Sequence, residues 1–138
     1  MKPLYKGKHF ITLEEWSKEQ IDKLLEVSKD LKKKFYNNED TTYLKNKNAF
    51  LMFFEQSTRT RNSMEAGLAQ MGGHAIFLDT SKMQLSHGES AKDTATILSS
   101  YGHGIACRNC FWGIGNKFLR EMAANSTVPI MNLQCDLY

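Results

Sequence analysis

Residues 48–73, NAFLMFFEQSTRTRNSMEAGLAQMGG, constrain the possible folds of this chain more than any other segment. The apolar run 49–54 predicts a buried β-strand that ends at a polar pair. Beyond this turn, Met64, Leu68 and Met71 recur at helical spacing and are expected to form a buried stripe. Two glycines follow, and they favour a helix stop. The segment therefore predicts a strand, a polar turn and a helix in succession.

The first turn of the predicted helix contains the run Ser57-Thr58-Arg59-Thr60-Arg61. The first N–H groups of a helix have no intrahelical partner, and the helix dipole places positive charge there, which favours anions. Two arginines at this end oppose the dipole, so a bound anion would offset the repulsion. Arg59 can bind two phosphate oxygens at once, and the hydroxyls add donors. Ordinary helix capping with solvated arginines is the alternative.

The rest of the chain alternates predicted helices with predicted strands. Capping-box patterns begin at Thr12 and at Ser17, and an amphipathic helix follows the second of them. Further strands are predicted at 74–79, 104–108 and 128–133, with helices after Ser90 and over 116–125. This order predicts an α/β fold: a three-layer, doubly wound domain with a four-stranded parallel sheet flanked by helices.

Ligands of parallel α/β sheets bind beyond the carboxyl ends of the strands. The sequence places the 57–61 turn, the polar loop 80–89 and Arg108 at that edge. The loop contains Gln84 and His87 and is longer than a connection requires, which is typical of functional loops. A rim salt bridge is the ordinary alternative for Arg108, and a plain polar connection is the alternative for the loop.

Composition and charge argue against several other classes of protein. No apolar run approaches the roughly 18 residues that a membrane span needs, and the first ten residues lack a signal-peptide core. The formal charge of +3 is too small to indicate nucleic-acid binding, although the lysine-rich region around 32–34 leaves it as a weak alternative. Three cysteines, an odd number, favour a reduced, cytoplasmic protein over a disulfide framework.

Two patterns that suggest bound groups are weak here. Cys107 and Cys110, with His103 and Cys135, include residue types that bind zinc. Structural zinc sites use paired ligand loops, and Cys107 lies inside a predicted strand, so no metal is expected. The GIG sequence at 113–115 lacks the third glycine and the preceding strand of a dinucleotide loop, so no cofactor is expected either.

Three stretches resemble one known family. FFEQSTRTRNSMEAGLAQMGG closely resembles the carbamoyl-phosphate loop and following helix of the aspartate/ornithine transcarbamylases. QLSHGESAKDTATILSSYGHGIACR is similar to the next part of that family, and ITLEEWSKEQIDKLLEVS is similar to its start. After Arg108 the chain departs from the usual ornithine-enzyme pattern, because NCFWGIGNKFLREMA is longer. Together with NLQCD, this stretch most resembles the YgeW-like branch.

The resemblance implies a carbamoyltransferase, which transfers the carbamoyl group of carbamoyl phosphate to the amine of an amino acid or related amine and releases phosphate. It implies ligands for the phosphate group at the helix start: Ser57, Thr58, Arg59 and Thr60. Arg108 would hold the carbamoyl carbonyl oxygen and would act in catalysis with Arg59 and Thr60. Gln84 would reach the site of the neighbouring subunit, which implies a homotrimer.

The resemblance also implies that residues 1–138 are the N-terminal, carbamoyl-phosphate-binding domain of a longer two-domain enzyme. The family's His-Pro-x-Gln loop would begin directly after Tyr138, and the second-substrate domain is absent from the sequence. We therefore expect this chain to bind carbamoyl phosphate without turning it over. The alternative is a non-catalytic domain that senses phosphate or carbamoyl phosphate, or that organises subunits.

Overall fold

Four parallel strands form one sheet in the computed structural model of this protein, which describes residues 5–138. The strands are β1 (Asn48–Phe53), β2 (His74–Asp79), β3 (Ile105–Asn109) and β4 (Ile130–Cys135). Their order across the sheet is β2-β1-β3-β4. The helices are α1 (Lys18–Tyr36), α2 (Arg59–Gln70), α3 (Ala91–Tyr101) and α4 (Gly115–Asn125). The predicted α/β fold with a four-stranded parallel sheet is confirmed.

Each face of the sheet has its own apolar core, because successive strand residues point to opposite faces. One face packs with α3 and α4, and its buried members include Phe50, Met52, Leu98, Ile105, Cys107, Leu119, Met122 and Ile130. On the other face, Leu51, Phe53 and Ala106 pack against Met64 and Leu68 of α2. No residue of α2 is fully buried, so its predicted stripe is only partly covered among the described residues. Helices on both faces give the predicted three layers.

The N-terminal helix begins at the second of the two predicted capping boxes. The Ser17 hydroxyl accepts the N–H of Gln20 at 3.2 Å, and the Gln20 side chain accepts the N–H of Ser17 at 3.1 Å. The box predicted at Thr12 is wrong, because Thr12 instead caps a three-residue 3-10 helix, Leu13–Glu15. None of the helices described in residues 5–138 is both long enough and apolar enough to cross a membrane.

Strand β4 begins two residues later than the predicted strand at 128–133. Pro129 has no N–H to give to the sheet, which disfavours it inside a strand. Its carbonyl nevertheless accepts the N–H of Ile105 at 3.0 Å, so the strand starts directly after the proline.

The register of the sheet aligns the carboxyl ends of three strands. Phe53, the last residue of β1, lies opposite Asp79 of β2 on one side and Arg108 of β3 on the other. The Thr80 hydroxyl donates to the Phe53 carbonyl at 3.1 Å, and the N–H of Phe54 donates to the Arg108 carbonyl at 3.1 Å. These bonds bring the start of α2, the loop after β2 and the end of β3 to one edge.

Candidate functional site

The N-terminal end of α2 is open to a ligand. Thr58 occupies the cap position with helical backbone angles, and its side chain makes no capping hydrogen bond. The first helical bond runs from the N–H of Asn62 to the Thr58 carbonyl at 3.2 Å, so the N–H groups of residues 59–61 have no backbone acceptor among residues 5–138. Within the described chain, the hydroxyls of Ser57, Thr58 and Thr60 make no hydrogen bond. The predicted anion site therefore has unused donors.

The two arginines of this turn have different surroundings. Arg61 Nε donates to Glu65 Oε1 at 2.9 Å, and its Cζ lies 3.5 Å from the centroid of the Phe77 ring. Arg59 is exposed and forms no ion pair with any residue in the range 5–138. Arg61 is thus engaged by the protein, whereas Arg59 remains available for an anion.

Arg108 occupies the second-last position of β3 and is half-buried. Its Nε is fully buried and has no hydrogen-bond partner among the described residues. The rim salt bridge considered from the sequence is not formed in this part of the chain. A buried donor left without an acceptor costs roughly 1–3 kcal/mol, which a ligand oxygen would offset. Arg108 therefore suits an oxygen-bearing ligand at the same edge as the start of α2.

Glu55, in the polar turn between β1 and α2, links two segments of the site. Its Oε1 accepts the N–H of Cys110 at 2.8 Å, and its Oε2 is buried without a partner among the described residues. Burial raises the pKa of the Cys107 thiol, and the negative charge of Glu55 raises this pKa further. Cys107 is therefore a protonated core residue. Sequence reasoning assigned Glu55 no role; a charged residue directly after a buried strand was the available signal.

The loop after β2 is ordered into two short 3-10 helices, Thr80–Lys82 and Gln84–His87. Asp79 begins the first of them, because its carboxylate accepts the N–H of Ser81 at 3.1 Å and the Ser81 hydroxyl at 2.6 Å. These bonds lower the pKa of Asp79. Gln84 is exposed, and its side chain makes no hydrogen bond within residues 5–138. The structure of one chain thus leaves this side chain exposed at the loop.

The segment at 110–114 follows Arg108 and exposes three large apolar side chains: Phe111, Trp112 and Ile114. Its backbone is held by Asp136, whose carboxylate accepts the N–H of Gly113 at 2.8 Å and that of Asn116 at 2.7 Å. These bonds lower the pKa of Asp136. The Phe111 ring also packs edge-on against Phe54 at 6.2 Å between centroids. The segment is therefore a fixed part of the site edge.

The zinc alternative gains no support from the described residues. The part of the chain at 5–138 contains no group of three or more His, Cys, Asp or Glu side chains that could hold a metal ion. Cys135 lies at the end of β4, where its sulfur accepts N–H groups of Asn132 and Tyr138 at 3.3 Å each. Its surroundings are those of a hydrogen-bonded thiol.

Comparison with known proteins gives a consistent result along the chain. Residues 8–138 match the family described as aspartate/ornithine carbamoyltransferase, carbamoyl-P binding domain. The chain is 39% identical over 132 residues to an ornithine carbamoyltransferase from Pelobacter propionicus, covering 96% of this chain and 42% of that protein. It is 40% identical over 127 residues to an ornithine carbamoyltransferase from Anoxybacillus flavithermus, covering 92% of this chain and 39% of that one.

Solved structures give the same result. The ornithine carbamoyltransferase from Pyrococcus furiosus superposes with a TM-score of 0.88 at 32% identity, covering 95% of this chain and 41% of that chain. Aspartate transcarbamoylase from Trypanosoma cruzi, in complex with carbamoyl phosphate and aspartate, superposes with a TM-score of 0.80 at 25% identity, covering 92% and 38%. The chain thus spans about two-fifths of the length of the relatives it matches.

Proposed function

The chain belongs to the aspartate/ornithine carbamoyltransferase family, and from this premise we propose that it forms the carbamoyl-phosphate half of a carbamoyltransferase active site. Residues 1–138 would be the N-terminal domain of a longer enzyme whose second domain binds the amine. The observation that supports this most directly is the buried Nε of Arg108, which has no hydrogen-bond partner in the described part of the chain and lies at the same sheet edge as the open start of α2.

We assign the phosphate group to the turn before and within the first residues of α2. The proposed ligands are the side chains and N–H groups of Ser57, Thr58, Arg59 and Thr60. The helix dipole and the Arg59 guanidinium both favour a doubly charged group there. Arg108 would bind the carbamoyl carbonyl oxygen, because its guanidinium has a buried donor that needs an acceptor. One molecule of carbamoyl phosphate would thus supply acceptor oxygens both to the start of α2 and to Arg108.

In the proposed reaction, the amine nitrogen of the acceptor attacks the carbonyl carbon of carbamoyl phosphate with its lone pair. The carbonyl oxygen gains negative charge, which Arg108 and the Thr60 hydroxyl would stabilise. The bond from carbon to the phosphate oxygen then breaks, and phosphate leaves with the electron pair while the nitrogen loses a proton. Arg59 and the start of α2 would stabilise the charge that grows on the phosphate. The contribution of this domain is positioning and charge stabilisation.

The acceptor that we propose is the amine of an amino acid. The bacterial relatives at 39% and 40% identity bear the name ornithine carbamoyltransferase, which favours ornithine over aspartate. The resemblance of the 109–123 stretch to the YgeW-like branch stays a prediction, and the fold does not settle the second substrate of that branch. An assay of the complete enzyme with carbamoyl phosphate and a panel containing ornithine, putrescine and aspartate would identify the acceptor.

We also propose a cytoplasmic homotrimer that contributes to amino-acid metabolism. Gln84 is exposed on an ordered turn at the site edge, which suits a side chain that completes the site of a neighbouring subunit. All three cysteines are free thiols, and two of them are buried, as fits a reducing compartment. Light scattering of the complete enzyme tests the trimer, and Gln84→Ala should lower its activity without dissociating it.

Calorimetric titration of this 138-residue chain tests the proposed ligand. We expect carbamoyl phosphate to bind more tightly than inorganic phosphate, because only carbamoyl phosphate has an oxygen for Arg108. Equal affinities would favour the alternative of a domain that senses phosphate alone. If neither compound binds at millimolar concentration, the proposed site is wrong.

A further inference from the structure

Glu55 places a carboxylate next to an anion-binding turn. Only Gln56 separates it from Ser57 in the sequence, so this carboxylate belongs to the segment that leads directly into the turn. Repulsion between the carboxylate and a bound phosphate lowers affinity, and the effect is larger where side chains are buried. The Glu55 side chain has one fully buried oxygen. The contacts of this carboxylate therefore indicate what it contributes to the site.

The hydrogen bond of Glu55 connects the two halves of the proposed site. Its acceptor oxygen receives the N–H of Cys110 at 2.8 Å, across 55 residues of sequence. Glu55 lies just before the phosphate-binding turn, and Cys110 lies two residues after Arg108. The Glu55 side chain therefore links the turn proposed to hold phosphate to the segment just after Arg108, beside the backbone bond from the Phe54 N–H to the Arg108 carbonyl at 3.1 Å.

The Glu55 carboxylate does not pair with the Arg108 guanidinium in the part of the chain that the structure describes. Glu55 binds a backbone N–H of the 110–114 segment, and no ion pair joins it to Arg108 among the described residues. A direct pair would compete with the ligand oxygen for the guanidinium. The contact between the Phe54 and Phe111 rings lies beside the Glu55 bond and holds the same two segments together.

We propose that Glu55 is a positioning residue that sets the distance between the phosphate-binding turn and Arg108 through its bond to the Cys110 N–H. This proposal rests on the proposed function, because it assigns Glu55 to the same ligand. The bond needs an acceptor oxygen at the length of a glutamate side chain, and it does not need the charge.

Three variants of this chain distinguish the effect of the position of the Glu55 acceptor oxygen from the effect of its negative charge. Glu55→Gln keeps an acceptor oxygen at the same reach and removes the charge, Glu55→Asp keeps the charge at a shorter reach, and Glu55→Ala removes both. The readout is the ratio of the dissociation constants of methylphosphonate and phosphonoacetamide, a matched pair that differs in the carbamoyl-like group. Thermal melting of each variant, without ligand, reports whether it folds.

If Glu55 acts by position, Glu55→Asp and Glu55→Ala should lower this ratio by about tenfold, the size expected from misplacing one hydrogen bond to a charged group. Glu55→Gln should keep the wild-type ratio, while both phosphonates bind it more tightly because the repulsion is gone. If the aspartate variant keeps the ratio and the glutamine variant loses it, the charge is what matters and the proposal is wrong.

A purely structural role predicts another pattern, in which melting temperatures fall and the ratio stays constant, and that pattern also overturns the proposal. If the alanine variant does not fold, the glutamine and aspartate variants still decide. A failure of the proposed function can be told apart from a failure of this proposal. If the proposed function is wrong, the wild-type chain itself will bind phosphonoacetamide no more tightly than methylphosphonate.

Discussion

Arg61 lies over the ring of Phe77, with its Cζ 3.5 Å from the ring centroid, and this contact joins the first turn of α2 to β2. Glu65, one helical turn further along, accepts the Arg61 Nε–H at 2.9 Å and holds the guanidinium in place. The second arginine of the turn therefore fastens the helix start to the sheet. The first arginine, Arg59, faces solvent at that fixed helix end.

A double-mutant cycle between Arg61 and Phe77 should detect this contact in stability. We expect Arg61→Ala and Phe77→Leu to be non-additive, with a coupling free energy of about 0.5–2 kcal/mol, because each variant alone abolishes the same cation–π contact. Urea unfolding of the four proteins provides the measurement. Additive effects within about 0.3 kcal/mol would mean that the cation–π contact contributes nothing to stability.

Arg59→Ala should weaken binding of both carbamoyl phosphate and inorganic phosphate. Loss of a charge-assisted hydrogen bond of about 1.5–3 kcal/mol corresponds to a decrease in affinity of roughly tenfold or more. The matched control is Arg120→Ala, since Arg120 is also exposed but pairs with Glu15 away from the turn. Calorimetric titration of the two variants compares them at equal net charge. Equal losses in both would indicate a general electrostatic effect and would remove Arg59 from the ligand set.

The sequence was sufficient to predict the four-stranded sheet, because its strands are short apolar runs bounded by polar or glycine residues. It also led to the proposal of an anion site at the start of α2, since helix-dipole arguments need only the residues of one turn, and that site stays a prediction. It could not distinguish Arg59 from Arg61, because the difference depends on Phe77, which only the pairing of β1 with β2 brings near.

The link from Glu55 to Cys110 was unpredictable for a similar reason. It depends on the relative positions of two strand ends that lie 55 residues apart in sequence. The order of the 110–114 segment likewise depends on Asp136, more than 20 residues further along. Local patterns were enough to propose candidate site residues within one turn, whereas the contacts between separate segments could be described only from the fold.

Gly115→Ala should destabilise the protein and disturb the segment next to Arg108. A Cβ at this position would overlap the backbone carbonyl of Asn109, which cannot move without shifting the end of β3. We expect a loss of roughly 1–3 kcal/mol, as for other overpacked positions. Gly67→Ala is the control, because a Cβ there meets no atom of the described residues within 4 Å, and alanine should stabilise this helix by about 0.5–1 kcal/mol. Urea unfolding should give opposite signs for the two variants, and equal signs would contradict the predicted overlap.

Arg108→Ala should remove the preference for the carbamoyl group and leave phosphate binding nearly intact. In this chain, the affinity for phosphonoacetamide should fall about tenfold, as for a lost hydrogen bond to a charged donor, while that for methylphosphonate changes little. In the complete enzyme, turnover at saturating substrate should fall at least about 100-fold, because one donor to a developing oxyanion contributes about 3 kcal/mol. Arg120→Ala again serves as the control and should retain both the preference for phosphonoacetamide and the turnover of the complete enzyme. Near-normal turnover in the Arg108 variant would mean that another group stabilises the oxyanion, and an equal loss for both phosphonates would place Arg108 at the phosphate instead.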